Sequence, residues 1–243
     1  MKSIDLIDEL RKMQKVVFSV NDIAKIINKP KKYASLFMHR LKNRGKILEI
    51  ERNKYVLEGS NPYAIFSNLC YPSYISLLAS FSFYWLTTQI SRNIQIMTLK
   101  PKKKIKFEDY EVDFVKLPQK RFFGYSRERT FNGFIFIADI EKAIIDSLYF
   151  QKCVALDEVQ NALRESIKKI DQKKMIKYAF KMDNSVLLKR LGYILETLGI
   201  DIYKQVKKKI NKKYDYLMFI GKKGIKNRKW RIIINKDYKQ NAE

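Results

Sequence analysis

The stretch NDIAKIINKPKKYASLFMHRLKNRGKILEIERNKYVL, residues 21–57, decides the fold class. Asn21 or Asp22 caps a short helix carrying Ile23, Ala24, Ile26 and Ile27, and Asn28-Lys29-Pro30 breaks that pattern before a second helix over residues 31–43. Gly45 closes the second helix in a left-handed conformation. Ala34, Phe37, Met38 and Leu41 recur at i, i+3, i+4 and i+7, one stripe that packs on the preceding helices. Lys32, Ser35, His39 and Asn43 share the opposite face, whose donors and acceptors suit base edges and phosphates, while Lys29, Lys31, Arg40, Lys42 and Arg44 surround it with charge. Leu36 near that face meets a thymine methyl or packs on the next domain. Residues 47–50 and 55–57 are apolar-rich runs around a turn whose Asn53 tolerates a left-handed backbone, with Arg52 and Lys54 at the tip. The whole reads as a helix-turn-helix followed by a wing. Its expected DNA-binding residues are Lys29, Lys31, Lys32, Tyr33, Ser35, His39, Arg40, Asn43, Arg52, Asn53 and Lys54. The rival reading is a small helical bundle with a solvated basic face.

The charge supports a polyanion partner. The 243 residues carry a net +25 and 46% hydrophobic side chains, enough for a core. The excess is +7 over residues 1–60, +4 over 61–150 and +14 over 151–243, so the last third is the most basic. A field of this strength attracts nucleic acid through counterion release. Anionic membrane is the competing partner, yet the longest apolar run, residues 74–86, is short of the roughly 20 residues that span a bilayer. No apolar h-region follows Met1, and Cys70 and Cys153 make no disulfide framework, so a cytoplasmic protein with small buried cysteines is expected.

The pattern predicts an α+β chain: a winged helix over residues 1–60, then a basic domain over 61–243, strand-rich at 90–138, helix-rich at 139–210 and closed by strands within 215–235. A first helix carries Ile4, Leu6, Ile7, Leu10 and Met13, residues 16–20 form an extended link, and Gly59-Ser60-Asn61-Pro62 marks the domain break. Pro72 starts a helix running to about Trp85. Strands follow at 94–99, 104–107, 111–117, 121–124 and 134–137, in series and therefore in an antiparallel or mixed sheet. Asp139 caps a helix, and further helices lie at 157–166, 172–182, 185–198 and 201–210. Two closing strands, 216–220 and 230–234, flank a glycine-lysine loop that lacks the Gly-Lys-Ser/Thr ending of a phosphate-binding loop and reads as an exposed basic tip. Lys102, Lys103, Lys104, Lys222, Lys223 and Arg228 are the expected secondary basic surface.

Chemistry is poorly supported. His39 is the lone histidine, the cysteines lack CxxC spacing, and no cofactor or metal site is expected. Asp113, Lys116, Asp139, Glu141 and Asp146 are the residues a metal-dependent nuclease would need, but Asp139 and Glu141 suit the start of a helix better.

With these residues set out, the chain resembles the AbiEi family of antitoxins, winged-helix regulators of type IV toxin-antitoxin systems. The resemblance rests on residues 40–55 at the wing, 74–79 with 86–90, 138–149, 190–195, and 229–235, in the family's order. This chain reads Tyr84-Trp85 where the family often has His-Gly, and Arg52-Asn53 where it often has a glycine. The resemblance implies a repressor that binds inverted repeats in its own promoter. It also implies a second domain that counters a co-encoded nucleotidyltransferase-like toxin without touching it, and no enzyme activity. RNA is a further partner for the basic last third. Two rival functions are the nuclease above and a winged-helix regulator that senses a small ligand around Tyr74, Phe81 and Trp85.

Overall fold

The computed structural model describes residues 3–130, 133–218 and 223–235. The chain divides into two compact units, each drawn from separate stretches. Met1–Ile75, Arg92–Leu117 and Tyr125–Ile137 make the first, and Ser76–Ser91, Pro118–Gly124 and Ala138–Glu243 the second. The expected break at residues 59–62 falls inside the first unit.

In the first unit, α1 (Ser3–Lys12), α2 (Val20–Ile26), α3 (Lys31–Asn43) and the antiparallel hairpin β1 (Ile47–Glu51) and β2 (Lys54–Leu57) share one apolar core. Leu6, Leu10, Phe18, Ile23 and Ile47 meet the α3 stripe there: Ala34, Met38 and Leu41 are buried, and Phe37 packs on their edge. Phe18 exchanges two backbone hydrogen bonds with Tyr55, at 2.9 and 2.8 Å, so the predicted link before α2 is pinned to the hairpin. The cap of α2 is Ser19 rather than Asn21 or Asp22. Its hydroxyl accepts the Asp22 amide at 3.3 Å while the Asp22 carboxylate accepts the Ser19 amide at 2.8 Å, a reciprocal capping box.

Beyond the hairpin, the Gly59–Pro62 break opens a helix, α4 (Pro62–Ser67), because the Asn61 side chain accepts the Tyr63 amide at 2.9 Å and proline suits a first turn. The helix expected from Pro72 is also corrected. Residues Ser73–Ile75 form a strand, β3, with all three buried, and the helix is confined to α5 (Leu78–Phe83) in the second unit. An unbroken apolar run reads equally as a central strand or a buried helix. β3 lies antiparallel to β4 (Asn93–Thr98) and parallel to β8 (Gly133–Ala138). With β5 (Ile105–Phe107), β6 (Tyr110–Lys116) and β7 (Tyr125–Thr130) they form a mixed six-stranded sheet, order β5-β6-β4-β3-β8-β7. The strand expected at 121–124 is not formed: a 3₁₀ turn, Gln119–Arg121, takes its first residue, residues 122–124 carry no regular structure, and the next strand, β7, is a polar edge strand without an apolar signature.

The second unit is built around α6 (Ile140–Tyr149), which packs on α5, α7 (Leu156–Ser166), α8 (Gln172–Lys181) and α9 (Ser185–Thr197). Asp139 caps α6 as expected, accepting the Lys142 amide at 2.8 Å. The helix expected at 201–210 shortens to α10 (Tyr203–Val206) and a 3₁₀ turn, Lys207–Lys209. Strands β9 (Asp215–Tyr216), β10 (Gly224–Asn227) and β11 (Ile232–Asn235) form a sheet of order β10-β11-β9. Part of the expected basic loop is therefore a strand, β10, paired antiparallel with β11. Residues 219–220, predicted in the first closing strand, lie outside the described residues. Among the described residues no helix is long and apolar enough to cross a membrane.

Candidate nucleic-acid interface

The packing of α3 sorts its side chains by face. With Ala34, Met38 and Leu41 turned inward, Lys31, Lys32, Tyr33, Ser35, Leu36, His39, Arg40 and Asn43 are all exposed. Tyr33 is 51% exposed and Leu36 58%, so Leu36 adds apolar surface to a polar helix face. No side chain caps the N-terminus of α3, which leaves its first-turn amides open to an anion.

Charge on this surface divides into committed and free groups. Lys42 binds Glu49 at 2.5 Å, tying the end of α3 to β1. That hydrogen bond raises the Lys42 ammonium and holds the Glu49 carboxyl below its usual range. By contrast, Lys29, Lys31, Lys32, Arg40, Arg44, Lys46 and Arg52 are exposed and have no carboxylate partner among the described residues. Lys46 was missed by the sequence reading, since it precedes the hairpin and carries no periodic signal.

Two of the expected hairpin contacts are structural. Asn53 has the anticipated left-handed backbone, φ 61°, but its side-chain oxygen accepts the Val20 amide at 3.1 Å. Lys54 donates to the Glu51 carboxylate at 3.0 Å and to the Leu69 carbonyl at 2.7 Å. Lys102 also binds Glu51. Burial by itself would raise the Glu51 carboxyl, and the two ammonium groups outweigh it, leaving it below the usual range. Arg52 alone of the tip cations is uncommitted. Sequence reasoning had no access to the Leu69 carbonyl, which lies 15 residues away along the chain from Lys54.

The secondary surface splits similarly. Lys102 is spent on Glu51, and Lys104 binds Glu111 at 2.6 Å and Asp113 at 3.5 Å. Lys103, Lys223 and Arg228 are exposed, and Lys222 lies outside the described residues.

The carboxylates of the rival nuclease are occupied structurally. Asp146 and Lys142 form an ion pair with no exposure, and Ser76 donates to Asp146 at 2.9 Å. Asp139 and Glu141 both hold Lys174, at 3.0 and 2.9 Å. Burial would lower that ammonium, yet the two carboxylates raise it well above the usual lysine value. Among the described residues no three histidine, cysteine or acidic side chains gather as a metal cluster. Of the residues that the rival ligand sensor would use, Tyr74 and Phe81 are fully buried, Tyr74 stacked at 4.8 Å on Tyr125, whereas Trp85 is exposed. Cys153 is exposed and Cys70 half-buried rather than both buried, and neither forms a disulfide.

No protein-family description matches the chain, and no curated protein is similar to it. Among solved structures, the chain is similar in fold to the crystal structure of the RV2827C protein from Mycobacterium tuberculosis, alike over 94% of this chain and 89% of that chain with a TM-score of 0.67. Sequence identity is 8%, so the likeness concerns architecture alone.

Proposed function

We propose that residues 1–60 are a winged helix-turn-helix that binds double-stranded DNA, with α3 as recognition helix and the β1–β2 hairpin as wing. The observation that carries this reading is the division on α3: one face completes an apolar core, and the other presents Lys32, Ser35, His39 and Asn43 among cations with no internal partner. Seven such cations around a helix that presents polar side chains meet the need for phosphate contacts that position and base contacts that specify. Arg52 supplies the wing contact, while Asn53 and Lys54 hold the wing in place.

The resemblance to AbiEi antitoxins extends the reading to an autorepressor of a toxin-antitoxin operon, acting without a catalytic residue or cofactor in the cytoplasm. Trp85 supports it from the backbone: its φ of 58° is one that glycine adopts readily, and the family often has glycine there. The test is fluorescence anisotropy of the full chain on the duplex upstream of its own gene against a shuffled duplex, across a salt series. A preference of roughly 10³ or more at physiological salt establishes operator recognition. Equal affinities would reject it and leave a general nucleic-acid grip.

A further inference from the structure

The second unit contains an open groove of about 690 Å³ between residues 85–90 and α7. On one wall Trp85 is 90% exposed and Ile90 84% exposed, while Leu86 is buried. The Trp85 amide bonds the Ser82 carbonyl at 3.2 Å and the Leu86 amide bonds the Phe81 carbonyl at 2.8 Å. These bonds fix the left-handed reversal that turns the indole outward as Leu86 turns in. A bulky side chain adopts that backbone only with strain, and such strain collects at functional sites.

On the other wall both oxygens of the Glu158 carboxylate are held, by the Thr87 hydroxyl and the Gln89 amide, each at 2.7 Å. Both donors are neutral, so the charge is oriented without being cancelled. Glu165, two turns further along α7, has no cationic partner among the described residues, and Arg164 turns to Asn161 at 3.3 Å instead. In a protein of net charge +25, this groove thus joins two uncompensated carboxylates to an exposed indole. Phosphates would be repelled here. An aromatic face beside carboxylates suits a guanidinium or ammonium group on an aliphatic stem.

We propose that this groove docks a lysine- or arginine-bearing segment of a partner protein, its stem along Trp85 and Ile90 and its charged head facing Glu158 and Glu165. The protein's overall positive charge makes the test more selective, because it disfavours non-specific binding of a cationic peptide. Trp230, the other tryptophan, is fully buried, so red-shifted emission reports Trp85. The full chain is titrated at physiological ionic strength, free of nucleic acid, with a blocked peptide alternating lysine and glycine and with a glutamate-glycine control.

The expected result is saturable quenching by the lysine peptide and none by the control. Labelled-peptide anisotropy should show at least tenfold weaker binding for Trp85→Gly, and at least threefold for Glu165→Gln, which removes no hydrogen bond. Trp85→Gly relieves the left-handed backbone, so an equal or higher melting temperature certifies its fold. Absence of saturation, or equal affinity in both variants, would overturn the proposal. So would a Trp85 emission shift on concentrating the protein alone with formation of a sedimenting dimer, which assigns the groove to a second copy.

Discussion

Gly192 on α9 lies directly against the indole of Trp230: a Cβ at Gly192 would stand 2.0 Å from Cζ3 and 2.1 Å from Cη2 of that ring. The ring is fully buried, and its N–H donates to Glu196, one turn along α9 from the glycine. Helix propensity alone would favour alanine at position 192 by about 1 kcal/mol. Overpacking a fixed ring costs about 1–3 kcal/mol and is the larger effect. Gly192→Ala should therefore lower the urea midpoint, by about 1 kcal/mol in stability after that offset. A midpoint that rises would show that the ring yields.

Arg52 and Lys54 stand two residues apart in the hairpin turn and should behave oppositely. Arg52→Ala removes an uncommitted cation, so the slope of log affinity against log salt should fall by roughly one with stability unchanged. Lys54→Ala removes the bonds to Glu51 and Leu69 and should cost about 1 kcal/mol in a denaturant melt, with the salt slope intact. The same salt slope for both variants would contradict this assignment.

On α3, Ser35→Ala or His39→Ala should weaken binding to the upstream duplex while leaving the shuffled duplex nearly unchanged. Lys31→Ala should weaken both about equally and reduce the salt slope by about one. Parallel losses for all three on both duplexes would remove the distinction between reading and anchoring residues.

Leu36 is exposed amid polar groups, and on the proposed recognition helix it would offer apolar contact to a thymine methyl in the major groove. Replacing thymine by uracil at one position of the preferred duplex removes only that methyl. The wild-type protein should lose about 1 kcal/mol there and Leu36→Ala should lose nothing further, measured as a double-mutant cycle. Equal sensitivity in both proteins would place Leu36 away from the bases.

Tyr178 donates to the Asp139 carboxylate at 2.9 Å. Burial first, and then that hydrogen bond, push its phenol from 10.0 up to about 12. A folded-state value raised above the unfolded one contributes stability that is complete below pH 10 and is lost as pH rises from there to about 12. Between about pH 9 and 11.5 the wild-type urea midpoint should fall more steeply than that of Tyr178→Phe. Parallel curves would show that the phenol is not coupled to folding.

Much of the first unit was determined by local sequence. The spacing of Ala34, Phe37, Met38 and Leu41 fixes which side of α3 is buried, because a 3.6-residue period leaves one apolar stripe. Gly45 at φ 67° and Asn53 at φ 61° end elements where those residue types tolerate a left-handed backbone. Asp139 capping α6 was legible for the same local reason. Position, burial and strand neighbours were decided only in three dimensions. Residues 73–75 became a central strand because β4 and β8 cover it, a fact that no period within the run encodes. The cations followed the same division. Composition set the net charge, but which lysines remain free depends on carboxylates and carbonyls distant in sequence, as Glu51 shows in holding both Lys54 and Lys102. Local periodicity assigns a side chain to a face, and only tertiary packing decides what that face meets.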